Sequence, residues 1–593
     1  MSNVMSMKSI KNKTSRNGFD LSQHIAFTAK AGELLPVFTK EVIPGDKFKI
    51  KSEWFTRTMP LSSAAYVRMR EYYDVYFVPY RQLWKYFPDF ITQTENNQYA
   101  SSFTESASVA TKMPYTTVAS IFNLFVNIVA NATVDGSTTS VKGANQFGYS
   151  RRYLSAKLMQ YLGYGYRDIY NSDTSSGLGD SPSGSGTTDT TAVSLMPALA
   201  YQKICNDYFR FDQWQDSEPW RYNVDYLTPS TGSYLSVSTG DGTTYNMFDL
   251  NYCNFNKDLF MGLLPESQFG DVSVASIDIN GSATYGFSSE DGDNTTVENG
   301  YLNSDGQIVL NGTNYNKISL EGSDVSQLSI LALRQAEVLQ KWKEITQTGD
   351  KDFKSQIEKH FGVNVSNVLS NKCQYVGGWS TNLNINEVVN SNLADDSSEA
   401  DICGKGTSAG NGIIDFESND YGILMCIYHA VPLLDYEGAI RDKLVTKIDA
   451  TDFAIPEFDK IGMEAVPITE LIPSVYELEE GDTLKTLTLG YAPRYYDYKT
   501  SVDVVRGAFN ASLSHWCSSL TQEYLIEYLQ NSITDIANTG KFITSLFFQV
   551  NPAYLNPIFY LEADGSAETD QFLCNSYFDI KAVRNLDYNG LPY

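Results

Sequence analysis

Histidine is nearly missing from this 593-residue chain: four occur, at positions 24, 360, 429 and 515, and no two stand four residues apart. That pattern offers no histidine-built metal site. Cysteine is scarce as well. The seven, at 205, 253, 373, 403, 426, 517 and 574, are odd in number and include no Cys-x-x-Cys pair, so they read as reduced, mostly buried thiols rather than a disulfide framework. Long apolar runs are also lacking. The most apolar window, residues 118–130, is broken by Ser120, Asn123 and Asn127 and falls short of the roughly 20 residues a bilayer demands. Residues 1–19 lack the apolar segment of a signal peptide. Neither membrane insertion nor secretion is expected. Positive charge is in short supply too: 44 Lys and Arg against 70 Asp and Glu, a net charge of −26. A uniform nucleic-acid-binding surface is thereby excluded, and any such contact must come from a local basic patch. No phosphate loop or dinucleotide fingerprint occurs, and no cofactor or metal is expected.

What the chain has is aromatic and β-branched residues, with 40 Tyr and 31 Phe, which favour strands. A chain of this length buries roughly three quarters of its unfolded surface and needs no staples. The organising stretch is residues 32–84. Lys47-Phe48-Lys49-Ile50-Lys51 alternates strictly, so it predicts a half-buried strand with Phe48 and Ile50 inward and the lysines on a solvated face. Pro44-Gly45-Asp46 before it is a turn, because Pro fixes φ, Gly accepts positive φ and Asp bonds its own backbone. Val75 to Val78 is apolar without alternation, a strand covered on both faces and closed by Pro79, which cannot donate to a ladder.

The same stretch resembles the opening of the major capsid protein of the microviruses, in their gokushovirus-like branch. Gly32, Leu34 and Pro36, then Glu41, Val42, Pro44, Gly45, Asp46 and Phe48, then Phe77, Val78, Pro79, Arg81, Leu83 and Trp84 carry the pattern. Later segments follow it too: Leu195 to Arg210, Lys257 to Gly270, Leu333 to Lys341, His360 to Val363, Tyr375 to Thr381 and Tyr491 to Lys499. Trp379 stands where the family has a third glycine. A divergent stretch from Met59 to Glu71 and a short tail place the chain on a distant branch.

Residues 1–19 contain Lys8, Lys11, Lys13 and Arg16 and no acid. They read as a mobile arm, either simply solvated or, if the resemblance holds, neutralising packaged phosphates. Residues 171–191 and 228–244 read as surface loops and 391–411 as a flexible loop. Residues 271–327 are acidic and turn-rich, with Asn299-Gly300 and Asn311-Gly312 suggesting hairpins; the resemblance makes them an outward protrusion near a three-fold axis. A helix is predicted over residues 326–348, with Leu328, Leu331, Val338, Trp342 and Ile345 as its core face. Arg151 begins a short helix, and Leu513, Trp516, Leu520, Tyr524 and Tyr528 mark another.

Candidate chemistry is thin. Gly406-Thr407-Ser408-Ala409-Gly410 matches a nucleophile elbow, but acidic residues precede it where an apolar strand is required. Asp291-Gly292-Asp293 starts like a calcium loop, yet Thr296 and Leu302 occupy the positions that need Gly and Glu. One basic-aromatic set, Arg68, Arg70, Tyr72, Tyr73, Tyr80, Arg81, Trp84 and Lys85, could bind single-stranded DNA by stacking and charge. The competing reading makes the aromatics core and the arginines subunit bridges.

These observations predict a mainly β protein. The resemblance makes it an eight-stranded antiparallel jelly-roll β-sandwich of the viral capsid type, with long loop insertions and a few helices, residues 20–593 forming a single domain. It implies a structural protein, not an enzyme, that self-assembles through pentamers into the simplest icosahedral shell of a virion around circular single-stranded DNA in the bacterial cytoplasm. Implied partners are further copies, the genome, a small basic DNA-binding phage protein, a minor pilot protein and a host surface receptor. A glycan-binding surface β-sandwich and a β-rich hydrolase are the rival readings.

Overall fold

A computed structural model describes residues 15–92, 112–118, 149–165, 191–224, 244–273, 330–389, 402–477, 487–531, 545–559 and 570–589, a few single positions excepted, with Ile121 and short strand pieces at 145–146, 236–238 and between 287 and 315. Contacts divide the chain into two units, residues 1–267 with 350–593, and residues 268–349.

The larger unit is built on strands β1 (Asn17–Asp20), β2 (Gln23–Ala29), β3 (Leu35–Val42), β4 (Lys47–Thr58), β5 (Met69–Pro79), β6 (Gln374–Val389), β7 (Ile402–Glu417), β8 (Gly422–Pro432) and β9 (Phe572–Arg584). All pairings are antiparallel, and β1 and β2 line up end to end along β9 as one interrupted edge strand. Counted so, the strands number eight, in the order β1/β2-β9-β4-β7-β6-β5-β8-β3. The first half of β6 pairs with β5 and its second half with β7, so this strand passes from one sheet to the other. The two layers curl face to face. Phe38 meets Phe578 at 4.9 Å, Tyr73 meets Trp54 at 5.1 Å, and Phe77 meets Phe416 at 5.2 Å. The fold is the expected antiparallel capsid-type β-sandwich with long insertions. Five helices that matter below are α1 (Arg151–Tyr161), α2 (Met196–Ile204), α3 (Ile330–Thr348), α4 (Phe353–Phe361) and α5 (Gln522–Asn531).

The alternation of β4 does what its period requires, with every second residue buried from Phe48 to Thr58. Its outward lysines face acids on neighbouring strands: Lys47 is opposite Glu417, at 2.7 Å, Lys49 opposite Asp415, and Lys51 opposite Asp579. Strand β8 is buried along its whole length, and the last five residues of β5 are buried too.

Three local expectations fail. Residues 402–411 are not loop but the first part of β7. Two glycines of β7 lie under tryptophan rings that take the space of a side chain. A Cβ on Gly410 would lie 2.2 Å from Trp54 Cζ2, and one on Gly412 would lie 1.6 Å from Trp379 Cδ1. Trp379, the departure from the family pattern, fills the room those glycines leave. Second, the helix expected from Leu513 begins only at Gln522. Ser514–Trp516 is a tight turn, and Ser519–Leu520 is committed to parallel pairing with Asp435 and Tyr436. Third, α3 forms over the described part of its expected range, but Leu331, Val338 and Trp342 of its apolar stripe are exposed rather than core; Ile345 is half-buried, and Leu328 lies outside the described residues. Among the described residues of the smaller unit, 268–273 lie along this helix, with Gln340 donating to Gln268, Phe269 donating to Lys343 O at 3.3 Å and Ser273 to Gln340 at 3.2 Å. Periodicity reveals that a face is apolar, not what covers it. The smaller unit also holds a three-strand meander, Gly300–Leu302, Ile308–Leu310 and Thr313–Tyr315; Leu310 pairs with Thr313 across positions 311 and 312. Most of 171–191, 228–244 and 271–327 lies outside the described residues.

Candidate functional site

The residues of the family pattern hold both ends of the β3–β8–β5 ladder: Gly32 lies beside Ala430 at one end, and Val42 and Pro79 flank Gly422 at the other. Gly32 has φ +80°, and a Cβ there would lie 2.6 Å from Val550 Cβ. Pro36 sits where the β3–β8 register slips. In the turn, Gly45 has φ +90°, and fully buried Asp46 accepts from Ile43 N at 3.0 Å and lies 3.2 Å from Arg584 Nε. Phe48 stacks on Phe416. Val78 is buried, Pro79 ends β5 and caps the helical turn Tyr80–Leu83, and Trp84 packs on Phe90 at 5.5 Å. These positions hold the fold; their chemistry is packing and turn geometry.

The basic candidates do not form one groove. Lys8, Lys11 and Lys13 lie outside the described residues. Arg16, assigned to the arm, donates to Gly45 O at 3.0 Å, and residues 17–19, also assigned to it, belong to β1. Residues 17–19 are therefore not part of an arm, because the chain from Asn17 is claimed by the edge of a sheet. Arg68 binds Asp435 at 2.5 Å and Asp503 at 2.7 Å. Arg70 donates to Ser380 at 2.6 Å and stands over the Tyr72 ring. Arg81 is paired with Asp420 at 2.5 Å, and Lys85 stands over Tyr86. Arg68 and Arg70 are at one end of β5, Arg81 and Lys85 beyond the other, about 30 Å away at the usual rise per residue. Tyr73, Tyr80 and Trp84 are buried and offer no stacking platform.

What sequence reasoning missed is an aromatic cleft on the larger unit. Tyr72, Asp74 and Tyr76 from β5, Tyr208 and Phe209 after α2, and Tyr375 and Trp379 from β6 line a space of about 510 Å³. A second space of about 350 Å³ shares Tyr72, Asp74, Tyr208 and Phe209 and adds Arg210, Lys257 and His429. Tyr76 meets Tyr208 at 4.8 Å, and Tyr72 lies flat on His429 at 4.9 Å. Burial pushes the Asp74 carboxyl up to about 6, against a hydrogen bond from Tyr375. Burial lowers His429 to about 3, so it is neutral. Nearby, Asp212, Asp350 and Asp352 bring carboxylate oxygens within 4.8 Å of one another, and Arg210 is bound to Asp212, so that charge is already partly met. The segments Tyr208-Phe209-Arg210 and Tyr375 to Trp379 were each visible as pattern elements; their convergence was not.

Two buried polar clusters tie the sandwich together. Glu71, 1% exposed, accepts from Trp54 Nε1 at 2.9 Å, Ser408 Oγ at 2.6 Å and Tyr428 OH at 3.3 Å. Ser408 is the serine of the supposed elbow, and mid-strand, buried and bound to a carboxyl, it is no nucleophile. The second cluster joins Lys157 of α1 to Glu33 at 2.6 Å and Asp570 at 3.0 Å, with Lys30 3.3 Å from Asp570.

A fold of two packed sheets whose distinctive residues hold strand ends and turns rather than react suits a structural role, and comparison with known proteins decides it. The family model described as capsid protein (F protein) matches residues 8–173 and 171–592. The chain belongs to this capsid protein family. It is similar to capsid protein VP1 of Chlamydia phage 1, 20% identical over 97% of this chain and 95% of that protein. It is also similar to capsid protein VP1 of Bdellovibrio phage phiMH2K, 22% identical over 87% of this chain and 86% of that one. The expected divergent microvirus major capsid protein is what the comparisons support. The capsid protein is structural, not an enzyme; this sets aside both the hydrolase and the glycan-binding reading. Among the described residues no helix is long and apolar enough to cross a membrane.

Proposed function

We propose that copies of this capsid protein close into a small icosahedral shell, one subunit per asymmetric unit, around a circular single-stranded DNA genome in the bacterial host. Membership of the capsid family carries this reading. The acidic net charge of −26 confines DNA contact to local sites. The first of these is the N-terminal segment, where Lys8, Lys11 and Lys13 stand without an acid before β1 begins. Arg70 and Lys85, each over an aromatic ring and without a carboxylate bridge among the described residues, are weaker candidates than Arg68 and Arg81, whose charge is committed. A small basic phage protein would supplement so little positive charge, and a pilot protein and a host receptor complete the proposed partners. Residues 271–327 are proposed as the outward protrusion.

Electron microscopy of the expressed protein tests assembly: shells or pentamers support it, and solitary subunits under every condition overturn it. Removing residues 1–14, which spares β1, tests the arm. The salt dependence of single-stranded DNA binding should flatten by about 0.7 per lost lysine contact, roughly 2 in log–log slope. DNA content per shell should fall; unchanged slope and content remove the arm from the account.

A further inference from the structure

The segment from Lys443 to Ile461 turns two lysines in and six large apolar side chains out. Lys443 folds back on Glu464 and over the Tyr496 ring at 4.1 Å. Lys447 folds back on Asp497 and over the Tyr498 ring at 3.9 Å, and its side chain is only 5% exposed. Next to it Ile448 is 86% exposed. Leu444 and Val445 are 69% and 71% exposed, and Phe453, Phe458 and Ile461 are exposed as well. The three helical turns here, Lys443–Thr446, Ala450–Asp452 and Pro456–Phe458, contain no buried residue. A solvated surface segment normally has the opposite polarity, with lysine in water and isoleucine beneath.

The segment is nonetheless firmly held. Asp442 accepts from Leu444 N at 2.9 Å, Asp452 from Ile448 N at 2.9 Å and Asp449 N at 2.8 Å, and Lys499 pairs with Asp459 at 2.5 Å. Lys443 and Lys447 are spent on the surface beneath, and Asp442 and Asp452 on the segment's own backbone, which holds Leu444, Val445 and Ile448 outward. At roughly 200 Å² per large side chain, the six present on the order of 700 Å² of surface, close to the ~800 Å² that one partner contributes to a standard interface. Six large apolar side chains exposed within eighteen residues of a soluble protein mark a docking surface.

We infer that residues 443–461 are a contact between copies of the capsid protein, seated against a second subunit when the shell closes. The occupant is a second copy because the family's task is packing copies together, and because a pre-fixed apolar surface suits a partner present in every assembly. The inference rests on the shell-forming reading and narrows it to one surface.

The test compares the unaltered protein with a Leu444→Asp/Ile448→Asp variant and with the milder Ile448→Ser. Both sites are solvent-facing in the subunit, so circular dichroism and the urea midpoint of the free subunit should not change. Shell yield, read by sedimentation and electron microscopy, should fall by about ten-fold or more for the double variant, since an unpaired carboxylate in a closed interface weakens every contact it enters. Amide exchange over 443–461 should slow in unaltered shells relative to dissociated subunits. Shells from the double variant at normal yield, or unchanged exchange in this segment, overturn the inference while leaving the capsid reading intact. If the unaltered protein never forms shells, the shell-forming reading itself has failed, and this one with it.

Discussion

Replacing Lys157 by methionine should be among the most damaging single changes in the molecule. Its ammonium lies 2.6 Å from Glu33 and 3.0 Å from Asp570, and Lys30 is 3.3 Å from Asp570. Lys30, Glu33, Lys157 and Asp570 are all at most 6% exposed. As found, the quartet is neutral: two lysines against two carboxylates. Lys157→Met keeps the volume but leaves two carboxylates sharing one lysine, an uncompensated buried negative charge that costs about 3–5 kcal/mol. With a urea slope of about 3 kcal/mol per molar, the unfolding midpoint of the subunit should fall by about 1 M or a little more. Adding Glu33→Gln restores neutrality, with Lys30 facing Asp570, and should recover at least half of the loss. The pH dependence has a definite sign. Lys157 and Lys30 hold the Asp570 carboxyl well below its usual range, against the burial that pushes it up. In the unaltered protein its contribution is therefore present above pH 4 and is lost only as pH falls through its low folded value. In Lys157→Met the surplus carboxylate takes up a proton readily, so the gap between the proteins should be widest near pH 7 and close towards pH 4. A single-variant cost under 1 kcal/mol, or a double variant losing as much as the sum of its parts, refutes the account.

Asp74→Asn should stabilise the subunit at neutral pH. The folded carboxyl titrates near 6, above its usual value, so its contribution falls as pH rises from 4 to 6, by up to about 3 kcal/mol for a two-unit shift; urea midpoints at pH 5 and 7.5 should separate for the unaltered protein and converge for the variant. Gly32→Ala combines a left-handed backbone with a collision against Val550 and should cost about 2–4 kcal/mol, whereas Gly163→Ala, with φ +84° and open space around it, should cost only about 1–2 by thermal unfolding. Equal effects at the two glycines would show that packing at Val550 is irrelevant.

Much of the sandwich was legible because one-sided burial writes itself into the chain. The period of β4 and the unbroken apolar run of β8 follow directly from how many faces each strand covers. The turn at Gly45 was legible because its residues do their work locally. The glycines of β7 misled, since glycine-rich sequence is the mark both of a loop and of a strand lying under a tryptophan; only the distant positions of Trp54 and Trp379 separate the two cases. On α3, Leu331, Val338 and Trp342 were read as core and are exposed. The aromatic cleft needed β5, β6 and the end of α2 to meet, which no local pattern records.

Two departures from the usual partition of polar and apolar groups stand at opposite ends of this logic. Inside, Lys30 and Lys157 are buried because the segment after β2, helix α1 and the approach to β9 each bring a charge to one point, and the ion quartet pins together stretches more than 400 residues apart in sequence. A hydrophobic substitute would pack there, but it would not specify which segments meet. Outside, Lys447 turns in and Ile448 turns out because Asp497 and the Tyr498 ring claim the lysine, leaving the isoleucine for a surface that a single subunit does not contain. Both inversions are invisible to a reading that assigns lysine to water and isoleucine to core. Both have the same physical origin: a partner distant in sequence, or on another copy, that makes the unfavourable placement favourable. In a protein whose task is to pack against itself, the apolar groups left outside a well-ordered subunit are therefore the ones that report the assembly.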